Sequence, residues 1–559
     1  MTRNRFITTL LLGALVAPGG SAAAGQKPTV TDEHVQELIR AAAERVGAQT
    51  GTAAAGQVPG AGEHPSVSLS LDDAVKLALE RNLDIAVQRL NPSTFDFSVA
   101  NLQAAYRPSL TSQVSHLSNT NPSTQTISGA AAGTGIEQGT TNYNAGIAQN
   151  FRWGGGSLAV QLNNNKQTTT SLTALFNPAF NTNWSAQLTQ PLLRNFKIDN
   201  ARQQLMVTRL NQDISEIQLQ ASIINIVSNV RNAYWDLVFA TQAVDVAKRS
   251  VELAERLVAD NRTRVEIGTM APIDVVQAQS QAATQRQNLA VAEGTRRTNE
   301  LALKRLIVAG TQDPNWNAEL APSDRPEFAP QPIDVAAAVK RALENRTDLQ
   351  QARKNLQVND TTLKYLNNQT LPQADLVARY GLIGQGGTQY ITSGTGINRI
   401  VTGEIPGGYS DALSSLFGRN FPTWNLQLNV TYPLGQSAAE ANVARARVQQ
   451  NQVAAQLKQI ELQIATDVTN AATNVQNNVE RVQAAQAARE FAQRTLEAEQ
   501  SKFEVGMSTN YFVVQAQRDL ATAQNNELQA VLAYRKSLVE LERLQQTSLS
   551  TSNITILGR

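Results

Sequence analysis

The chain of 559 residues contains no cysteine, and this excludes disulfides, thiolate metal sites, a cysteine nucleophile and lipid attachment to an N-terminal cysteine. Its three histidines, His34, His64 and His116, are scattered, so no histidine cluster is available for metal or proton-transfer chemistry. Beyond the N-terminus, no stretch approaches the ~20 apolar residues of a spanning helix. If the protein enters a membrane, it must do so as β-strands. Neither sign of charge dominates, with 48 Lys and Arg against 46 Asp and Glu and no basic run, so a nucleic-acid partner is not expected. GxxxxGK[ST] and GxSxG are both missing, and the carboxylate pair Asp72-Asp73 sits at a helix start, where capping explains it. We therefore expect no catalytic residue, no cofactor and no metal. Aromatics make up only 5% of the chain and much of its apolar content is alanine, which suits helices meeting along narrow seams better than a thick globular core.

What is present begins with MTRNRFITTLLLGALVAPGGSAAAGQ, in which Arg3 and Arg5 precede a short apolar run and a small-residue site at Ala22–Ala24. This reads as a signal peptide over 1–24, removed on export. Residues 25–65 read as an arm, with a short amphipathic helix near 32–46 and a Gly/Ala/Pro linker.

From there the chain repeats. LDDAVKLALERNLDI at 71–85 resembles VAAAVKRALENRTDL at 335–349, and VEIGTMAPIDVVQAQ at 265–279 matches FEVGMSTNYFVVQAQ, 238 positions later, at 7 of 15 residues. We read a first copy over 66–321 and a second over 322–546, followed by a tail at 547–559. Each runs helix, β segment, very long helix, tip and return helix. The β segments are expected at 108–192 and 372–433, the long helices at 196–265 and 437–503, and the return helices at 272–309 and 510–546. A 70-residue helix is about 105 Å long, too long for a compact domain. Ile226, Val230, Ala233, Leu237, Ala240, Val244, Ala247, Val251, Ala254 and Val258 follow an unbroken 4,3 spacing, the seam of a coiled coil. The other faces are polar, as in the wall of a water-filled tunnel.

In WNLQLNVTY (424–432), Trp424, Leu426, Leu428, Val430 and Tyr432 alternate with Asn425, Gln427, Asn429 and Thr431, which fits a barrel strand with lipid outside and water inside. WSAQLTQ at 184–190 is its counterpart. Opening strands follow Pro108 and Pro372. Tyr143, Phe151, Trp153, Trp184, Tyr380, Trp424 and Tyr432 are the candidate aromatic girdle. An extra hairpin at 142–165 turns on Gly154-Gly155-Gly156 and reads equally as two more spanning strands or as a hairpin packed elsewhere on the barrel. Segments 119–140, 169–182 and 384–422 read as long outer loops.

The duplicated order, the paired ALE helices, the Gln190-Pro191 passage into a helix and the twofold tip motif resemble the TolC-like outer-membrane efflux proteins, over roughly residues 69–546. The resemblance implies an α+β membrane protein. It would be a homotrimer whose β segments share one barrel of ~12 strands, continuous with a periplasmic α-helical tunnel that docks an adaptor and an inner-membrane pump. It implies the exit duct of a tripartite efflux or type I secretion system. A periplasm-spanning scaffold or adhesin without channel activity is the alternative. It places Ile267, Gly268, Thr269, Met270, Val505, Gly506, Met507 and Ser508 at the adaptor-facing tips. The family's gate tyrosine and arginine correspond here to Phe503 and Ser508, and its acidic ring positions to Phe512 and Gln515, while Asp274 keeps an acidic gate residue. The expectation is a neutral, apolar constriction closed by Phe503, Tyr511 and Phe512.

Overall fold

The computed structural model describes residues 66–122, 135–171, 173–325, 328–330, 332–394, 400–435 and 437–547. The segments expected to be a signal peptide and an arm, over 1–65, and nearly all of the expected tail lie outside the described residues.

Two helical hairpins dominate. α3 (Asn200–Glu266) and α9 (Ala438–Glu504) have 67 residues each, and their return helices α4 (Pro272–Ile307) and α10 (Asn510–Gln545) have 36 each. Local chemistry sets their starts. The Asp199 carboxylate accepts from the Arg202 N–H at 2.7 Å, and Ser437 forms a capping box with Glu440. The 4,3 seam turns inward: Val230 and Leu237 in α3, and Ile464, Val468, Val475 and Val482 in α9, are buried.

The helix expected to open each half of the chain is divided into two. α1 (Leu71–Arg81) and α2 (Leu83–Ala104) divide at Asn82, whose side chain accepts from the Asp84 and Ile85 N–H groups and donates to the Leu306 carbonyl. α6 (Val335–Asn345) and α7 (Thr347–Gln369) divide at Arg346. Two short strands that the alternation pattern does not reveal, β1 (Ser66–Leu69) and β6 (Glu319–Pro322, after the one-turn α5, Pro314–Asn317), pair in parallel beside them. Together they wrap the middle of α3, where Tyr234, Trp235, Leu237 and Phe239 are buried. The Tyr234 hydroxyl donates to Asp324 Oδ2 at 2.6 Å. Burial, then Asp324, push its pKa up, so it stays a donor.

The strands form one antiparallel sheet in the order β2 (Ser109–Pro122), β3 (Gly135–Asn150), β4 (Ser157–Thr169), β5 (Phe176–Pro191), β7 (Gln373–Ser393). β9 (Phe421–Thr431) and β8 (Ile400–Ile405) both lie on the free edge of β7. One face carries Leu110, Ile147, Val160, Ala186, Tyr380 and Trp424 as a single row across six strands. That row begins beside the start of β2 and ends well inside β9, the stagger that a tilted barrel wall has. The opposite face carries Gln113, Asn144, Gln161, Ser185, Arg379 and Asn425. Along the two edge strands the apolar side chains are open: Leu110 and Val114 of β2 are each 76% exposed, and Trp424 of β9 is 79% exposed.

Three expectations change here. The strands run into the segments read as outer loops: β2 reaches Pro122, β3 begins at Gly135, β5 begins at Phe176 and β7 continues to Ser393. Their Asn, Ser and Thr content hides them, because backbone pairing extends a strand where side chains give no alternation. Within 384–422 there is also a helix, α8 (Tyr409–Phe417), whose Ala412 sits over Gly384 and Gly386 on the apolar face of β7. Its Tyr409 hydroxyl donates to Asn164 Oδ1, and its ring meets Tyr143 edge-on. Finally, two residues of the candidate aromatic girdle, Phe151 and Trp153, are not on a strand. β3 ends at Asn150 and both lie in the turn, with Trp153 edge-on against Phe196.

Candidate functional site

The two tips are built alike. At the end of α3 the Thr269 N–H bonds back to the Arg264 carbonyl at 2.9 Å, and at the end of α9 the Met507 N–H bonds to the Lys502 carbonyl at 2.8 Å. Both close through a glycine in the left-handed region, Gly268 at φ 78° and Gly506 at φ 77°. Pro272 then opens α4 at its first position, where no N–H is needed. The turns project outward: Ile267, Val505 and Met507 are 67–79% exposed and Gly268, Thr269 and Gly506 are exposed, whereas Met270 packs inward and Ser508 is half-buried.

Behind the turns the four helices share a small apolar cluster of Leu257, Ala278, Leu496, Phe503, Val513 and Leu520. Phe503 belongs to it. Its ring is covered by the Arg264 guanidinium at 4.4 Å, and Arg264 also donates to the Phe503 carbonyl. Tyr511 and Phe512 lie elsewhere. They are 62% and 54% exposed and stack edge-on with each other, centroids 5.5 Å apart. The structure thus brings two of the three aromatics expected at the constriction together and separates the third, because Phe503 faces the interface between the chain's own two hairpins. Gln515 is exposed and bonds Asp519, and Asp274 is half-buried.

Several residues that hold the tips together were not singled out in the sequence. Asn261 of α3 and Asn510 of α10, both buried, bond side chain to side chain at 2.9 Å, and both amides reach the Asp274 carbonyl, at 3.5 and 3.3 Å. Arg518 donates to Gln281 at 2.7 Å. Asp274 therefore serves the hairpin contact through its backbone. Ser508 donates to Glu499 Oε2 at 2.7 Å, and Lys502 reaches the same carboxylate at 2.6 Å. These two bonds, that of Lys502 foremost, hold the Glu499 carboxyl below the usual range. The only available signal was the offset of 238, which aligns Asn261 with Glu499 and Pro272 with Asn510, and so shows a difference without showing contact.

No match is found among curated protein sequences. A family model described as Outer membrane efflux protein matches residues 74–308 and 338–545. Among solved structures, the chain is similar to the outer-membrane channel OprN at 15% identity and TM-score 0.60, covering 85% of this chain and 89% of that one. It is similar to the Campylobacter jejuni CmeC outer membrane channel at 14% identity and TM-score 0.58, covering 88% and 90%. It is likewise similar to the Vibrio cholerae outer membrane protein VceC at 15% identity and TM-score 0.57, covering 85% and 95%.

Proposed function

The chain belongs to the outer membrane efflux protein family, and we propose that it is the exit duct of a tripartite efflux pump or type I secretion system. In this reading it is a passive conduit, reaching from the outer membrane into the periplasm. The observation that carries the proposal is the sheet with one exposed apolar face and one polar face, whose strands lead directly into two 67-residue helices. An apolar face of this extent is unstable in water and stable against lipid. The sheet's two edges, β2 and β9, are unpaired among the described residues of one chain, and open edges are not tolerated in hydrocarbon. A homotrimer removes them by head-to-tail pairing. The tips at Gly268 and Gly506 then face a periplasmic adaptor, and through it an inner-membrane pump that supplies the energy.

The constriction is neutral in this proposal. Tyr511, Phe512 and Gln515 line it from the exposed side of α10, while Phe503 stays within the hairpin interface. Planar-bilayer recording of the purified full-length protein tests both statements. Stepwise conductance with weak divalent block is expected. A detergent-stable protein that never conducts supports a scaffold instead. Strong divalent block abolished by Asp274→Asn alone overturns the neutral constriction. Cells lacking the protein are expected to retain the pump's substrates, and expression of the protein is expected to restore export.

A further inference from the structure

Six strands of one chain form a single continuous wall, β2-β3-β4-β5-β7-β9. Only four of them connect to helices: β2 follows α2, β5 precedes α3, β7 follows α7 and β9 precedes α9. The β3–β4 hairpin is an insertion, and its position decides the size of the barrel. It is paired along both sides. β3 matches β2 from Ser109↔Ala148 to Pro122↔Gly135, and β4 matches β5 from Ser157↔Thr189 to Gln167↔Ala179. Its alternation agrees with its neighbours, Ile147 and Val160 lying on the apolar face, Asn144 and Gln161 on the polar one.

The hairpin's turn is also seated. Gly154 and Gly155 lie in the left-handed region at φ 66° and 65°, and the Gln190 side-chain amide donates to the Gly154 carbonyl at 2.8 Å. A Cβ on Gly155 would lie 2.6 Å from the Asn195 carbonyl oxygen, so the backbones touch there. Asn195 itself is tied to α7 through Asn368 and Gln369. The turn is therefore keyed into the β5–α3 passage, and the hairpin stands at the depth at which the long helices begin.

We infer that the barrel has eighteen strands, six from each chain, standing on twelve long and return helices. The inference rests on the trimeric reading above; the four helix-connected strands alone would give twelve. The edges suit this closure, because β9 of one chain runs opposite to β2 of the next and both are open. Barrel diameter grows nearly linearly with strand number, so this ring is about 1.5 times as wide as one of twelve, and rings of that size enclose an aqueous channel. Its polar face offers mainly Asn, Gln, Ser and Thr side chains, with Asp375 and Arg379 on β7, too short to fill such an opening. The exit barrel then applies no size filter, bulky hydrated cargo passes it freely, and narrowing is confined to the helical tips.

The full-length protein in detergent tests this in two measurements. Its mass gives the number of chains, and electron cryo-microscopy of the same sample gives the strands in the ring. Three chains and eighteen strands are expected. Three chains with a ring of twelve and the hairpin outside it overturn the inference and leave the conduit reading intact. Any other number of chains overturns the trimer and the inference with it. An independent check uses the absence of native cysteine. Gln113→Cys with Asn144→Cys, and Gln161→Cys with Ser185→Cys, join directly paired positions. Both pairs are expected to cross-link within one chain and shift its mobility. Gln113→Cys with Ser185→Cys spans three strand spacings, roughly 14 Å, and is not expected to do so. The reverse pattern places β2 on β5 and overturns the inference.

Discussion

The two helical hairpins have the same lengths and the same turn, yet different neighbours give them different chemistry. At mid-length α3 carries Tyr234, Trp235 and Phe239, where α9 has Ala472, Thr473 and Asn477 at the corresponding offset. The rings on α3 are enclosed by the short helices and by β1 and β6, so α3 is a hub buried on several sides, while α9 buries a narrow stripe. At the tips, Asn261 faces a neutral amide partner, and its counterpart Glu499 faces Lys502 and Ser508. Equal backbones therefore do not imply equal energetics. Helix length and turn geometry are set locally, and stability is set by what each helix touches.

That contrast can be broken in several places. The largest effect is expected from Tyr234→Ala, which empties a fully buried site and leaves Asp324 Oδ2 with the Leu71 N–H but without the Tyr234 hydroxyl as a donor, costing about 3–5 kcal/mol. Ala472→Gly, at the matching place in α9, is expected to cost only about 1 kcal/mol. Denaturant unfolding in detergent measures both, and equal losses would remove the distinction between hub and stripe. Next in size is Asn510→Ala, which leaves the buried Asn261 amide without its side-chain partner. About 1–3 kcal/mol of tip cohesion is expected to disappear, seen as faster hydrogen exchange near 261–274 and a higher open probability. Asn261→Ala added to it is expected to cost less than the sum of the single changes.

A smaller and symmetric effect is expected at the turns. Gly268→Ala and Gly506→Ala each force a Cβ into the left-handed region, with open space around it, for about 1–2 kcal/mol apiece. Because φ is the same in both, unequal losses in matched thermal melts would show that the turns are not equivalent. The smallest effect is electrostatic. The Glu499 carboxyl is held below its ordinary range, so its contribution is fully present above the unfolded carboxylate pKa and is lost as pH falls through the lower folded value. Acidification and added salt are therefore expected to loosen the Val505–Ser508 turn slightly, while the Ile267–Met270 turn, backed by neutral Asn261, does not respond. Amide exchange of the two turns across that pH range measures this, and Glu499→Gln is expected to abolish the difference.

Much of this architecture was legible in the residues because it is periodic. The 4,3 seam marked the long helices, Gly268 and Gly506 marked the turns, and the alternation in WNLQLNVTY marked β9. The short β1 and β6 left no such trace, since a four-residue strand carries too little pattern and owes its pairing to the helices that bring the two together. The same holds for the candidate site. Asn261 and Asn510 are ordinary polar residues 249 positions apart, and only packing of one hairpin on the other makes them a buried pair.

Neighbours along the chain suffice to specify two long hairpins, their glycine turns, and strands with one apolar and one polar face. Tertiary structure alone decided what depends on which surfaces meet. It inserted β3–β4 between β2 and β5, laid α8 over the apolar face of β7, and turned Phe503 into the hairpin interface while leaving Tyr511 and Phe512 outside. The physical reason is that periodicity assigns a side chain to a face of its own element, whereas the partner of that face is chosen by burial and hydrogen bonding between elements distant in sequence.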